Sequence, residues 1–256
     1  MAQDFSQQLW TALNEWWREQ ARAKGACGAA SLLAKELWGF LRDSTPERRR
    51  SRYGDMDYDW EQRVDTTSGT VGWRERLLGI FHSPYMPSDP AEFREMMTAL
   101  PIDFHKFTFI DVGSGKGRTL LMASEYGFKK IVGVELISEL HRAAEKNIAA
   151  CRDRQLQGNP QRNGPPQREI EAVCMDARQY IFPETPLVVY LFNPLPEAGL
   201  RRVIHNLDES CKKMPRPVWI VYHNPLFESA LAASPVLAKA GSTPYYSLYR
   251  TKGAQE

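Results

Sequence analysis

The sequence predicts an α/β fold in which a mostly parallel sheet is flanked by helices and preceded by a helical segment. From about residue 101 onward, short apolar runs alternate with stretches whose apolar residues recur at helical spacing, and this alternation is typical of a parallel sheet with helices on both faces. The run at 187–192 is apolar throughout, as expected of a strand that is buried on both sides. The preceding 100 residues show helical spacing without such runs.

The N-terminal part is predicted to be a helical cap and connector at residues 1–100, ahead of a core at 101–256. Two apolar stripes predict two amphipathic helices, and Gly25 and Gly28 lie between them. Arginines followed closely by acids at 48–61 indicate a solvated connector, and we expect Pro84, Pro87 and Pro90 to break up the approach to the core. The two stripes consist of Phe5, Leu9, Leu13, Trp16 and Trp17, and of Leu33, Leu37, Phe40 and Leu41.

The elements of the core follow from the local pattern in chain order. Apolar runs predict strands at 107–112, 131–135, 169–174, 187–192 and 217–222, with a last edge strand at 245–249. Helical spacing predicts a helix at 119–126 that Gly127 closes, a second from Ser138, and a third that includes Leu200 and Leu207. Glycine, asparagine and a Pro-Pro pair at 159–167 predict a loop.

The composition is that of an ordinary globular protein and argues against several classes. The chain has 256 residues, of which 43% are hydrophobic and 25% charged, and its net charge of +2 neither indicates nor excludes a nucleic-acid partner. Four scattered cysteines without a CxxC pair predict neither a metal site nor a disulfide framework. We find no secretory signal and no apolar run of about 18 residues, so we expect a cytoplasmic protein without a membrane span.

A glycine-rich segment joins the first core strand to the first core helix. Residues 109–118 contain Gly113, Ser114, Gly115 and Gly117, and glycines at this point permit a tight turn and let a ligand approach the backbone closely. The free N–H groups of the opening helix suit a carboxylate or a phosphate. Gly-x-Gly alone is weak evidence, because many nucleotide-binding folds share it.

Two acidic residues narrow the choice of ligand. Asp111 stands two positions before the first glycine, where it would repel a diphosphate and hold an ammonium group. Glu135 ends the second strand, about 20 residues further on, where a carboxylate accepts hydrogen bonds from both ribose hydroxyls. The glycine spacing is also Gly-x-Gly-x-Gly rather than the Gly-x-Gly-x-x-Gly of dinucleotide binders. A ligand with a ribose, an ammonium and a carboxylate but no phosphate is S-adenosylmethionine.

With these residues the sequence resembles the class I, Rossmann-like methyltransferases that use S-adenosylmethionine. The resemblance runs from Thr108 to Asn193 and more loosely beyond, and it implies cofactor contacts at Glu135 and the adjacent Leu136. It also implies that Asp176 and Ala177, just past the third strand, face the adenine. The style of the glycine segment and of Gly-Val-Glu-Leu further resembles the non-SET lysine methyltransferases and uncharacterised bacterial relatives.

The resemblance implies a methyl-transfer pocket after the fourth strand. Asn193 begins an Asn-Pro-Leu-Pro segment there, which lacks the aromatic residue that amino-methyltransferases of nucleic acid stack on the target base. Tyr85 precedes the core and is the second catalytic candidate, because segments at this place commonly cross the cofactor pocket. We expect His223 and the other core histidines to be structural, and Lys116 and Arg118 to be ordinary solvated or helix-favouring residues.

Alternatives to a methyltransferase stay open on the sequence alone. A nicotinamide-dependent oxidoreductase has a similar sheet, although Asp111 and the glycine spacing count against it. A non-catalytic module that binds the cofactor, or a partner through the tryptophan-rich N-terminal helices, is a third interpretation. Protein lysine, RNA and small molecules are all compatible acceptors, and the sequence predicts no oligomeric state.

Overall fold

A computed structural model describes residues 5–42, 56–67, 71–81, 85–158 and 169–253. The predicted loop at 159–167 therefore lies outside the described residues. The chain forms two compact units, of which the first comprises Met1–Glu61 with Thr67–Met86 and the second Gln62–Thr66 with Pro87–Glu256. The division of the chain into a cap at 1–100 and a core at 101–256 stays a prediction.

The described part of the first unit is mostly helical. Helix α1 spans Phe5–Arg42 and is interrupted at Gly25, whose φ of 73° and ψ of 166° are not helical. The predicted pair of helices on either side of this glycine is thus confirmed. Helices α2 (Met56–Gln62) and α3 (Trp73–Phe81) follow, and Ala12, Ala29 and Leu78 are buried. Within the described ranges, no helix is both long enough and apolar enough to cross a membrane.

The second unit is built on a sheet of seven strands in the order β3-β2-β1-β4-β5-β7-β6. Because β7 pairs antiparallel with both of its neighbours and the remaining pairs are parallel, six strands share one direction. The strands are β1 (Thr108–Val112), β2 (Lys130–Glu135), β3 (Ile170–Cys174), β4 (Leu187–Leu191), β5 (Val218–His223), β6 (Leu237–Ser242) and β7 (Tyr246–Thr251). The predicted mostly parallel α/β fold is confirmed.

Two details of the prediction were wrong. The strand predicted at 245–249 corresponds to β7 and is not at the edge of the sheet, because β6 pairs with it on the outer side. β6 itself is mostly exposed and rich in small residues, so no apolar run marks it in the sequence. Pro90 does not break the chain but opens helix α4 (Pro90–Thr98), since the missing N–H of a proline is not needed in the first turn. Asp89 caps this helix and accepts bonds from Ala91 N and Glu92 N.

Four further helices complete this unit: α5 (Arg118–Ala123), α6 (Ser138–Gly158), α7 (Glu197–Lys213) and α8 (Glu228–Ala232). Alternate residues of each strand face opposite sides of the sheet. Ile110 and Val112 of β1 join a buried cluster with Leu200 of α7 on one side. Phe109 packs on the other side against Phe93 of α4. Asp111 shares the side of Phe109, near the carboxyl end of its strand.

Candidate functional site

The glycine-rich segment forms a tight loop between β1 and α5. Gly113, Gly115 and Gly117 all have positive φ, at 80°, 53° and 83°, a region that favours glycine. The amides of Gly113 and Ser114 both donate to the carbonyl of Val134 in β2, at 2.8 and 3.1 Å. A Cβ at Gly113 would lie 2.5 Å from the Cβ of Pro194. The loop is therefore held close to the ends of both β2 and β4.

Glu135, at the end of β2, is buried and braces this loop. One carboxylate oxygen accepts the amide of Gly115 at 2.8 Å, and the other accepts the amide of Ile137 at 2.7 Å. Burial raises the pKa of Glu135, and the backbone N–H groups oppose that rise. A carboxylate has about four lone-pair positions, and these two amides together with that of Leu136 leave room for a hydroxyl group of a ligand.

Asp111 is a buried carboxylate that accepts a hydrogen bond from the hydroxyl of Thr119 in α5. Desolvation raises its pKa to about 7. Neither Asp111 nor Glu135 forms an ion pair with a cationic side chain in the part of the chain that the structure describes. Two buried carboxylates thus lie near the ends of adjacent strands, with no counter-charge from the residues that the structure describes, an arrangement that suits a cationic ligand.

Lys116 and Arg118 are not solvated, since each is only 3% exposed, although Arg118 does begin helix α5. Lys116 Nζ lies 3.0 Å from Asp65 Oδ1, and Arg118 Nε donates to the hydroxyl of Thr66 at 2.7 Å. A segment that precedes the core by about 40 residues thus covers the loop, and sequence spacing gives no sign of this contact. That segment thus holds both Lys116 and Arg118.

Asn147 of α6 fastens the same segment. Its amide group donates to the carbonyl of Asp65 at 2.8 Å and accepts the amide of Asp65 at 2.9 Å. It also donates to the carbonyl of Lys116 at 3.0 Å. Sequence reasoning did not single out Asn147, because one polar residue on a helix is ordinary. Its three bonds join the covering segment, the glycine loop and α6.

The remaining predicted cofactor residues lie at the same edge of the sheet. Ser114 is buried, and its hydroxyl has no partner among the described residues. Leu136 is half-buried and follows Glu135. Asp176 caps the 3-10 turn Ala177–Gln179 and binds the guanidinium of Arg178 at 2.7–3.0 Å. Ala177 is buried, and an adenine contact by this pair stays a prediction.

Asn193 follows β4 with a left-handed backbone, at φ 44°. Its side-chain oxygen accepts the hydroxyl of Tyr222 at 3.0 Å, and its amide donates to the carbonyl of Asn224 at 2.7 Å. The same turn recurs on the neighbouring strand, where Asn224 has φ 48° and is followed by proline. Tyr85 is half-buried in the first unit. The roles of Asn193 and Tyr85 in methyl transfer stay predictions.

Comparisons with known proteins give neighbours of similar fold. The structure is similar to an RNA methyltransferase from Salinibacter ruber solved with S-adenosyl-L-homocysteine, at 19% identity and a TM-score of 0.45, over 67% of this chain and 95% of that one. It is also similar to a putative methyltransferase from Escherichia coli, at 14% identity and a TM-score of 0.47, over 66% of this chain and 89% of that one.

A ribosomal protein L11 methylase from Lactobacillus delbrueckii subsp. bulgaricus is similar at 16% identity and a TM-score of 0.42, over 65% of this chain and 77% of that one. No protein-family model matches the sequence, and no curated protein does. These identities and TM-scores are too low to extend the neighbours' activities to this chain. They do not show the narrower resemblance to non-SET lysine methyltransferases.

Proposed function

We propose that this chain is an S-adenosylmethionine-dependent methyltransferase that acts in the cytoplasm. The observation that carries the proposal is the pair of buried carboxylates near the ends of β1 and β2, which form no ion pair with a cationic side chain among the described residues. The pKa of Asp111 is raised to about 7, and a bound ammonium would stabilise the ionised form of this carboxyl group. A diphosphate at the same place would meet two negative charges instead, so a dinucleotide is disfavoured.

Each group of this cofactor has a matching partner. Asp111 holds the ammonium, the first turn of α5 faces the carboxylate, and Glu135 faces the ribose hydroxyls. Asp176 and Ala177 lie beyond β3 for the adenine. In the sheet β3, β2, β1 and β4 are consecutive neighbours, and this order supports a position of the transferred methyl near β4 and β5.

The chemistry requires alignment more than dedicated reactive groups. The cofactor supplies a methyl group bound to a positively charged sulfur. The acceptor attacks the methyl carbon directly, and the sulfur is the leaving group. The protein contributes by holding the acceptor in line and by excluding water. Asn193 stands in this region with both of its side-chain groups fixed by β5 and the turn after it, and Tyr85 is the second candidate for the pocket.

A nicotinamide-dependent oxidoreductase is the weaker candidate on two observations. Dinucleotide-binding sheets have the order 3-2-1-4-5-6 with parallel strands, whereas here the reversed β7 lies between β5 and β6. Tyr126 and Lys130 do have the Tyr-x-x-x-Lys spacing of some such enzymes. However, Lys130 begins β2 and Glu135 ends it, so the pair lies at the amino ends of the strands, away from the carboxyl ends where the proposed cofactor site lies.

Transfer of a labelled methyl group tests the proposal. The purified protein is incubated with tritium-labelled S-adenosylmethionine and separated RNA, protein and small-molecule fractions of a cell extract. Label in one fraction, lost in Glu135→Gln but not in the exposed control Glu171→Gln, supports catalysis at this site. Label that survives in Glu135→Gln at the wild-type rate contradicts the assignment of the ribose site.

A further inference from the structure

A chain of four hydrogen-bonded side chains crosses the buried side of the sheet that carries Asp111. Ser88 Oγ lies 2.7 Å from the hydroxyl of Tyr190, and that hydroxyl lies 2.8 Å from His223 Nδ1. His223 Nε2 in turn lies 2.9 Å from Glu92 Oε2. Ser88, Tyr190 and His223 are each less than 5% exposed, whereas the side chain of Glu92 is 44% exposed. One end of the chain is therefore buried and the other reaches solvent.

These four hydrogen-bonded side chains adjoin the proposed cofactor site. Tyr190 of β4 pairs in register with Asp111 of β1, and the charge of Asp111 raises the pKa of Tyr190 further above its ordinary value after burial. His223 ends β5, where its ring stacks on Phe192 with centroids 4.1 Å apart. The chain thus passes through the ends of β4 and β5, toward which the sheet order directs the methyl group.

The hydrogen bonds define a single direction for a proton. Desolvation lowers the pKa of His223 despite nearby Glu92 and Asp89, which favours the neutral ring. A neutral ring that donates from Nε2 to Glu92 must accept the Tyr190 hydroxyl at Nδ1. The Tyr190 oxygen is then left to accept from Ser88. The other titratable groups against this chain are Asp111 from β1, and Tyr246 of β7 with its partner Glu95.

We propose that Ser88, Tyr190, His223 and Glu92 form a proton relay that deprotonates a hydroxyl acceptor as it is methylated; this inference rests on the proposed function. The acceptor oxygen forms a bond to the methyl carbon, the carbon–sulfur bond breaks, and its electron pair stays on sulfur. The hydroxyl proton passes to Ser88 Oγ, and one proton moves along each link until Glu92 releases it to water. Ser88 touches the acceptor, and the other three act through it.

The base strength of the relay favours a hydroxyl over an alkylammonium as the acceptor. An alkylammonium such as lysine has a pKa of about 10.4, roughly four units above an ordinary histidine of about 6.5, and the lowered pKa of His223 widens the gap. A hydroxyl differs, because its proton becomes strongly acidic as the oxygen gains the methyl group. A neutral imidazole accepts that proton readily.

The first test is the protonation of His223 in the free protein. Long-range proton–nitrogen spectra of imidazole-labelled protein, with His223→Gln for assignment, report which ring nitrogen carries the proton. We expect a neutral ring protonated at Nε2 at pH 7. A ring protonated at Nδ1, or an imidazolium at that pH, overturns the relay regardless of any activity.

The second test is the linkage and the rate of methyl transfer. Labelled product from the extract fractions should be a methyl ether; N-methyl lysine or an N-methylated base overturns the inference but leaves the proposed function standing. Tyr190→Phe should lower kcat about 10²–10⁴-fold. The milder substitution Glu92→Gln should lower kcat less, and neither variant should change the cofactor affinity. The matched control Tyr249→Phe, which removes a hydroxyl bonded to Glu228, should keep the wild-type rate.

The pH profile separates a relay from a structural role. The wild-type kcat should fall at low pH as His223 takes up a proton, and His223→Asn should lack this limb. A loss of kcat that is equal at every pH, accompanied by a lower melting temperature, is the signature of a structural network and overturns the relay. Cofactor binding without transfer to any fraction overturns both the relay and catalysis, and absent cofactor binding refutes the proposed function itself.

Discussion

Asp111 links cofactor binding to pH in a way that can be worked out from its environment. Its pKa of about 7 in the free protein means that the carboxyl is protonated below that pH, whereas an ammonium binds the ionised form. Binding below pH 7 therefore has to release a proton. Affinity should rise with pH and level off above about 7, and it should be about tenfold weaker at pH 6 and about 30-fold weaker at pH 5.5 than on the plateau.

Asp111→Asn provides the decisive comparison. The amide still accepts a bond from Thr119 but carries no charge, so cofactor affinity should be weak and nearly independent of pH between 5.5 and 7.5. Titration calorimetry across this range measures both effects. Asp208→Asn is a matched control, because Asp208 is also buried with a raised pKa but belongs to α7 and bonds to Ser234. Equal pH dependence in wild type and Asp111→Asn would refute the reasoning.

The same pKa predicts an opposite effect on stability. A carboxyl whose pKa is higher in the folded state binds its proton more tightly there, so stability falls as pH rises from about 4 to about 7. Removal of the charge by Asp111→Asn should stabilise the free protein at pH 7.5 by up to about 4 kcal/mol, at 1.36 kcal/mol per unit over roughly three units. Urea unfolding at pH 7.5 and pH 4 checks this, since the gain should vanish at the lower pH.

Three further substitutions test other parts of the site. Glu135→Gln should weaken S-adenosylmethionine binding by about 1.5–3 kcal/mol, or roughly 10- to 150-fold, because an uncharged amide replaces a charged acceptor; calorimetry measures it, and Glu139→Gln should bind normally. Asn147→Ala should cost about 2–4 kcal/mol in urea unfolding, since three hydrogen bonds are lost, and unchanged stability would show that the covering segment is not held there. Gly113→Ala should cost more than Gly253→Ala, which has a similar positive φ of 70° but no atom within 4 Å of the added Cβ; a cost of about 1 kcal/mol in both would limit the effect to backbone strain.

The core of the fold could be predicted from sequence because its strands carry strong local signals. The all-apolar run of β4 indicates a strand, and the glycines around Gly113 indicate the end of one. Both signals are local, so they can be recognised without knowing where the strands lie in the fold. β6 has no such signal: most of its residues are small or exposed, and its pairing with β7 depends on contacts between elements. The position of β7 inside the sheet was missed for the same reason.

The candidate site was predictable only where residues close in sequence are close in space. Asp111 and the glycines share one strand–turn–helix unit, and Glu135 ends the strand beside it. The burial of Lys116 by Asp65, at a separation of 51 residues, has no local signature. The hydrogen-bonded side chains from Ser88 to His223 were missed, because a lone histidine in a strand ordinarily indicates a packed core residue. The partners of His223 come from α4 and β4, which are distant from it in sequence.

The measurement that tests the central claim most directly is isothermal titration of the purified protein with S-adenosylmethionine, S-adenosylhomocysteine and NADH. The paired carboxylates predict micromolar binding of the first two and no binding of NADH. Binding of NADH alone would contradict the account, because a diphosphate would then be accommodated beside the ionised Asp111 and Glu135.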